Sequence, residues 1–353
     1  MDALKLTTYF GERSRLRGRL LADELLDIHT RHSVRSSILL RGMQGFGAKH
    51  QRRSDRLLTL SEDLPLVCVA VDTCERIEAL IRDVSAIGYE GLLALERARL
   101  CEVSVEESEP SPGPGESVKL TVYLGRHERA GGSAAFATVC QTLYDCGLAG
   151  ATVLLGVDGT RGGERCRARF FARNASVPLM VMSVGEEQPV GEALIRLCEM
   201  FSEPLITLER VRVCKRDGVL LRPPHDGLPT GEHRALRQKL TIITSEAARH
   251  ENRPVYLELV RRLRMANAAG ATSLRGIWGF HGNHPPHGDR LLSVRRHVPV
   301  VTEAIDTPAR IAALFPIVDE LTREWGLVTS ELVPATSALH EAVAYRPNKD
   351  PGL

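Results

Sequence analysis

Two stretches carry the residues best suited to chemistry: Arg41, Gly42, Gly45, Phe46 and Gly47 in one, and Arg275, Gly276, Gly279, Phe280 and Gly282 in the other. Paired glycines at a strand exit let successive backbone N–H groups turn into a single concavity that fits an anion. The arginine ahead of each pair could grip a phosphate through two parallel hydrogen bonds. The phenylalanine either stacks on a planar base or anchors the loop against the sheet. A related loop at 155–162 keeps Gly156 and Gly159 in register but lacks the arginine and the phenylalanine, and it sets Asp158 where an anion would sit. With only Arg161 to offset that charge, this loop is expected to be degenerate or to recognise something other than a nucleotide.

Two further sets compete for attention. Arg56, Arg169 and Arg290 each stand nine residues before a proline, Pro65, Pro178 and Pro299, which suits either an ion pair across a boundary or a ligand contact; Arg56 and Arg290 join the ligand-binding candidates. His281, His284 and His287 have the spacing of a zinc or copper site, so divalent-metal binding or metal tolerance is the rival function. No GxSxG elbow, lysine-bearing phosphate loop or HExxH helix occurs, and the expectation is a protein without catalytic activity. A ligand-free adaptor is the remaining alternative.

The elements that would position these residues repeat three times. Lys5-Leu6-Thr7, Lys119-Leu120-Thr121 and Lys239-Leu240-Thr241 each open a unit, and Gly42, Gly156 and Gly276 follow at the same distance. The repeat has the size of a small domain rather than of a solenoid turn. Each unit opens with a strand rich in threonine, valine, isoleucine and tyrosine. An amphipathic helix follows, marked by Leu21, Leu25 and Ile28 in the first unit. A second strand, the glycine loop, a third strand, a second helix and a last strand complete β-α-β-loop-β-α-β. That order implies an α+β chain of three tandem ferredoxin-like domains. The sheet faces not covered by helices must then pack together, giving a single-chain pseudo-trimer with sites between units. The expected boundaries are 1–105 for the first repeat, 118–216 for the divergent second and 238–335 for the third. Linkers at 106–117 and 217–237 and a tail at 336–353 make up the rest, the first linker being rich in Pro, Gly and Ser.

Composition narrows the function classes. The net charge of +2 gives no case for nucleic acid, although Arg13, Arg15, Arg17 and Arg19 form a local basic cluster. The eight cysteines contain no CxxC pair, which suits a reducing compartment. No apolar run is long enough to span a bilayer and no signal core is evident, so the expectation is a soluble, cytoplasmic protein, not membrane-inserted.

The segments RGMQGFG (41–47) and RGIWGFHG (275–282), each after a strand and before a long polar loop, resemble the base of the T-loop in PII signalling proteins. Unit one, with LTTYFGE, RGMQGFGA and DRLLTLSEDLPLV, is similar to the PII-like family known as domain of unknown function 190 (DUF190). Unit three shares DRLLSVRRHVPVV, while unit two matches only in outline. The resemblance implies a trimeric ferredoxin-like regulator with no resident cofactor. It would bind an adenine nucleotide effector between subunits and act through mobile loops, around 48–60 and 281–293, on a protein target such as a membrane transporter or channel. The turns after the second helices lack the lysine of the PII phosphate loop, which favours a monophosphate or cyclic nucleotide over ATP.

Overall fold

The structure is a computed structural model that describes residues 1–47, 53–54, 63–88, 91–101, 117–167, 177–224, 236–282, 284–288, 298–324 and 326–336. Arg56, Arg169 and Arg290, most of both linkers and the tail beyond 336 lie outside the described residues.

Each repeat builds the same set of elements. In the first, β1 (Asp2–Gly11), α1 (Leu21–Arg31), β2 (Ser36–Arg41), a short β3 on the glycine loop (Gln44–Phe46), β4 (Pro65–Thr73), α2 (Cys74–Ala86) and β5 (Leu92–Leu100) follow in order. The second has β6 (Ser117–Gly125), α3 (Ala135–Asp145), β7 (Gly150–Leu155), β8 (Asp158–Arg161), β9 (Pro178–Gly185), α4 (Glu187–Met200) and β10 (Leu205–Arg216). The third has β11 (Leu236–Ser245), α5 (Val255–Met265), β12 (Ala271–Arg275), β13 (Trp278–His281), β14 (Pro299–Asp306), α6 (Pro308–Leu321) and β15 (Leu327–Thr336).

All pairings are antiparallel. In repeat one β1 lies between β4 and β5, and β2 flanks β4. Repeats two and three reproduce that order. The helices follow from apolar spacing: Leu21, Leu25 and Ile28 of α1 turn one buried stripe onto the sheet. In α6 Pro308 occupies the first turn, where its missing N–H costs no hydrogen bond. The Thr307 side chain accepts the Arg310 N–H just ahead of it, at 3.4 Å.

Two sets of strand pairings join the repeats, and both close on themselves. At the last strands, β10 meets β5 at Thr207 and Leu208, β15 meets β10 at Ser330 and Thr329, and β15 meets β5 at Ala335. Through the glycine loops, β3 pairs with β12, β8 with β2, and β13 with β7. Loop one therefore docks on repeat three, loop two on repeat one, and loop three on repeat two. Each repeat keeps a helix-side core, while a shared core draws Ile38, Val67 and Val69 from repeat one, Leu154 and Met180 from repeat two, and Leu274 and Val301 from repeat three. Among the described residues, no helix is long and apolar enough to cross a membrane.

Candidate functional site

The glycine loops serve first as joints between repeats. The Gly42, Gly156 and Gly276 N–H groups donate to the Pro65, Pro178 and Pro299 carbonyls at 2.8, 2.9 and 2.8 Å. The next residues, Met43, Val157 and Ile277, donate to Ser273, Leu39 and Val153 of the neighbouring repeat at 2.9, 2.8 and 2.9 Å. The donors expected to converge on a phosphate are thus engaged by carbonyl oxygens. The second glycine of each loop allows close approach: a Cβ on Gly45, Gly159 or Gly279 would lie 2.6, 2.1 or 2.2 Å from the carbonyl oxygen of Ala271, Ser37 or Ala151. Gly47 is exposed, and the Gly282 N–H donates to the Ala149 carbonyl across the joint at 2.8 Å.

The flanking residues have structural partners too. Arg41 pairs with Glu12 at 2.9 Å and Arg275 with Glu246 at 3.0 Å, each within its own repeat. Phe46 is buried in the core of repeat three, and Phe280 in that of repeat two, where it meets Tyr144 edge-on at 5.3 Å. Both rings anchor the loop, but in a neighbour's core rather than against their own sheet. Burying such a ring contributes about 1.5–3 kcal/mol. In repeat two the buried Asp158 is balanced by Arg165 at 2.8 Å, not by Arg161, which pairs with Glu128. Arg165 also reaches Asp23 and Asp27 on α1 at 2.5 and 3.1 Å, so charge holds this joint where aromatic packing holds the other two.

The three histidines do not bring their ring nitrogens together as a set of three ligands. His281 and His284 lie with tilted rings, their centroids 5.1 Å apart, and His287 Nδ1 donates to the Pro285 carbonyl at 3.0 Å. Among the described residues, the group of three metal-type ligands within 4.8 Å of one another is Glu96, Glu209 and Glu331, all buried. The Lys119 ammonium already lies against all three, at 3.6, 3.0 and 2.6 Å, and fills the place a cation would take.

That group belongs to a buried charge cluster built by the sequence repeat itself. Strands alternate faces, so in each Lys-Leu-Thr the leucine enters the helix-side core while the lysine and threonine face the shared centre. Lys5, Lys119 and Lys239 stand opposite Glu96, Glu209 and Glu331 across the first and last strands of their repeats. Lys5 reaches Glu96 at 2.7 Å; Lys239 reaches Glu96 at 3.2 Å and a fourth carboxylate, Glu303, at 2.8 Å. Glu303 also accepts the Tyr9 hydroxyl at 2.8 Å. A cavity of about 20 Å³ beside the lysines has room for a water molecule.

Three ammonium groups thus face four carboxyl groups. Burial by itself would raise the Glu96 pKa, but Lys239, Lys5 and Lys119 outweigh it and hold that carboxyl well below the usual range. At Glu331 burial outweighs the attraction of Lys119 and of the more distant Lys239, and the pKa is raised. The depressed Glu96 contributes stability that is present above its unfolded value near 4.5 and is lost as pH falls through its folded value. The raised Glu331 does the opposite, contributing below 4.5 and losing its contribution as pH rises through its folded value. Glu331→Gln is therefore expected to flatten the decline in stability above pH 4.5 and to leave the acid limb intact. Urea denaturation across pH checks this, and an unchanged profile would refute it.

Elsewhere, His29 Nδ1 lies 4.0 Å from Cys68 Sγ in the core of repeat one. Burial drives the imidazole down to about 3 and the thiol up to about 12, so this pair is a neutral core contact rather than an activated nucleophile.

A cleft of about 50 Å³ opens between repeats two and three. The start of β7, the ends of β9, β10 and β11, and His281 line it. Arg216 and Thr244, both on its wall, carry buried polar atoms, Nε and Oγ1, with no hydrogen-bond partner. Neither residue stands out in the sequence, because neither recurs in the other repeats.

Three copies of one α+β unit, tied together by their glycine loops and last strands, define the class of this protein. The chain belongs to the DUF190 family, described as an uncharacterized ACR, which matches it at residues 3–100, 117–213 and 237–335. It is also similar to the UPF0166 protein of Aquifex aeolicus (strain VF5), 34% identical over 79 residues that make up 22% of this chain and 75% of that protein.

Proposed function

We propose that this chain is a PII-like regulator in which three ferredoxin-like units form a single-chain pseudo-trimer. It binds a small effector, an adenine nucleotide with one phosphate or a cyclic one, in an inter-repeat cleft. It acts in the cytoplasm, without catalysis, on a protein partner such as a membrane transporter or channel. The observation that carries this reading is the double ring of strand pairings, which gives one chain the boundaries between subunits that a homotrimer would have. The glycine loops lie at these boundaries, and the segments that follow them in sequence, around 48–60 and 281–293, are the ones proposed to meet the partner. An effector seated there favours one loop arrangement by its differential affinity and so shifts the population competent for the partner. The test is thermal denaturation of the full chain with AMP, cyclic AMP and ATP. The expected result is a rise in Tm with AMP or cyclic AMP that grows with concentration; no shift with any nucleotide would remove the nucleotide effector.

A further inference from the structure

We infer that the cleft between repeats two and three is an oxyanion site, present once per chain, in which Arg216 and Thr244 take the carboxylate or phosphate group of a small effector. The inference rests on the functional reading above, that effectors bind between repeats, and adds the class of group recognised and the stoichiometry.

Three observations converge on it. Arg216 makes no ion pair among the described residues, and its Nε is buried without an acceptor. The residue as a whole is half-buried, but a buried N–H left without an acceptor is costly, and an oxyanion that accepts it removes that cost. Thr244 is 5% exposed and lines the same cavity, and its Oγ1 has no partner, so it can donate to the same oxyanion. The size of the cavity fits as well. One water needs about 10–15 Å³ by this measure, so the cleft of about 50 Å³ accepts a few waters or one small anionic group. The aspartate on the wall, Asp217, is exposed and leaves the inner cavity to Arg216.

The stoichiometry follows from the register of the repeats. Arg216 stands as far beyond Glu209 as Val103 stands beyond Glu96 and Ala338 beyond Glu331. Thr244 corresponds in the same way to Phe10 and Leu124, each five residues past its opening lysine. By sequence register, valine and alanine stand where the second repeat has Arg216, and leucine and phenylalanine where the third has Thr244, so this pair of donors is complete in one combination of repeats. Fusion into one chain has let a single boundary acquire it.

The experiment is calorimetric titration of the full chain with inorganic phosphate, acetate and AMP, repeated on Arg216→Met and Thr244→Val, with circular dichroism melts to establish that both variants fold. The expected result is one site per chain for phosphate and AMP or for acetate, with affinity lowered about 10- to 100-fold in Arg216→Met and less in Thr244→Val. Binding of phosphate and AMP without acetate assigns a phosphate group, and acetate alone assigns a carboxylate. Three sites per chain, unaltered affinity in folded Arg216→Met, or no binding of any probe would overturn the inference. AMP binding that ignores Arg216 would sink the oxyanion site and leave the regulatory reading standing. Arg216-dependent phosphate binding without a nucleotide Tm shift would do the reverse.

Discussion

Lys119→Met is expected to destabilise the folded chain by about 3–5 kcal/mol, the cost of removing one partner from a buried ion pair. The side chain keeps its length, so the loss is one of charge rather than volume. Lys119 lies against Glu96, Glu209 and Glu331, whose carboxyl oxygens come within 4.8 Å of one another. Without its ammonium, two lysines face four carboxyl groups, three of them buried. Among the described residues Glu331 makes no other ion pair, Lys239 acting on it from farther off, so it should take up a proton in the variant. Stability lost at neutral pH should therefore return in part as pH falls toward 4.5, the ordinary glutamate value. Urea denaturation of Lys119→Met, Glu331→Gln and the double variant checks both parts. The double variant should be clearly more stable than the two single effects predict, because the second change removes the charge that the first leaves unpaired. A loss below about 1 kcal/mol, or simple additivity, would show that the cluster is too well hydrated for this argument.

This cluster also marks what could and could not be read from the sequence. The triplication was plain in the register of Lys-Leu-Thr and of the glycines, and alternation and helical spacing gave the strand and helix order of each unit. The lysines themselves served only as register marks. Their recurrence, with Glu96, Glu209 and Glu331 at nearly matching distances, was the signal that they face a common centre. Sequence spacing shows what each repeat offers but not which repeat receives it. The loop N–H groups suit an anion on local grounds, but carbonyl oxygens take them: Gly42, Gly156 and Gly276 bond within their own repeat, and the residue after each bonds to a neighbour. Phe46 and Phe280 recur for the same reason, each filling the core of another repeat. Arg216 and Thr244 gave no signal, because a site arising at one of three equivalent boundaries leaves no repeated pattern.

Gly159→Val should open the joint between repeats two and one, at a cost of about 3 kcal/mol or more. A Cβ at this position would lie 2.1 Å from the Ser37 carbonyl oxygen and 2.6 Å from the Pro65-equivalent ring of Pro178, and a backbone carbonyl within a paired strand cannot yield as a flexible side chain can. To relieve the overlap β8 must move away from β2. That separation breaks the Thr160 to Ser37 contacts, with Oγ1 and Oγ 2.8 Å apart and the Thr160 N–H 3.1 Å from Ser37 Oγ. It also draws Asp158 and Arg165 away from Asp23 and Asp27, so ordering that depends on charge is lost together with the ladder. Hydrogen exchange distinguishes this from general unfolding. Amides in β8 and β2 should exchange much faster in the variant, while those of β12 and β3, at the joint between repeats one and three, should keep most of their protection. Uniform acceleration across all three joints would instead mean that the ring opens as one cooperative unit. Glycine loops that part singly permit the repeats to respond to an effector one boundary at a time, which a site present at one boundary requires.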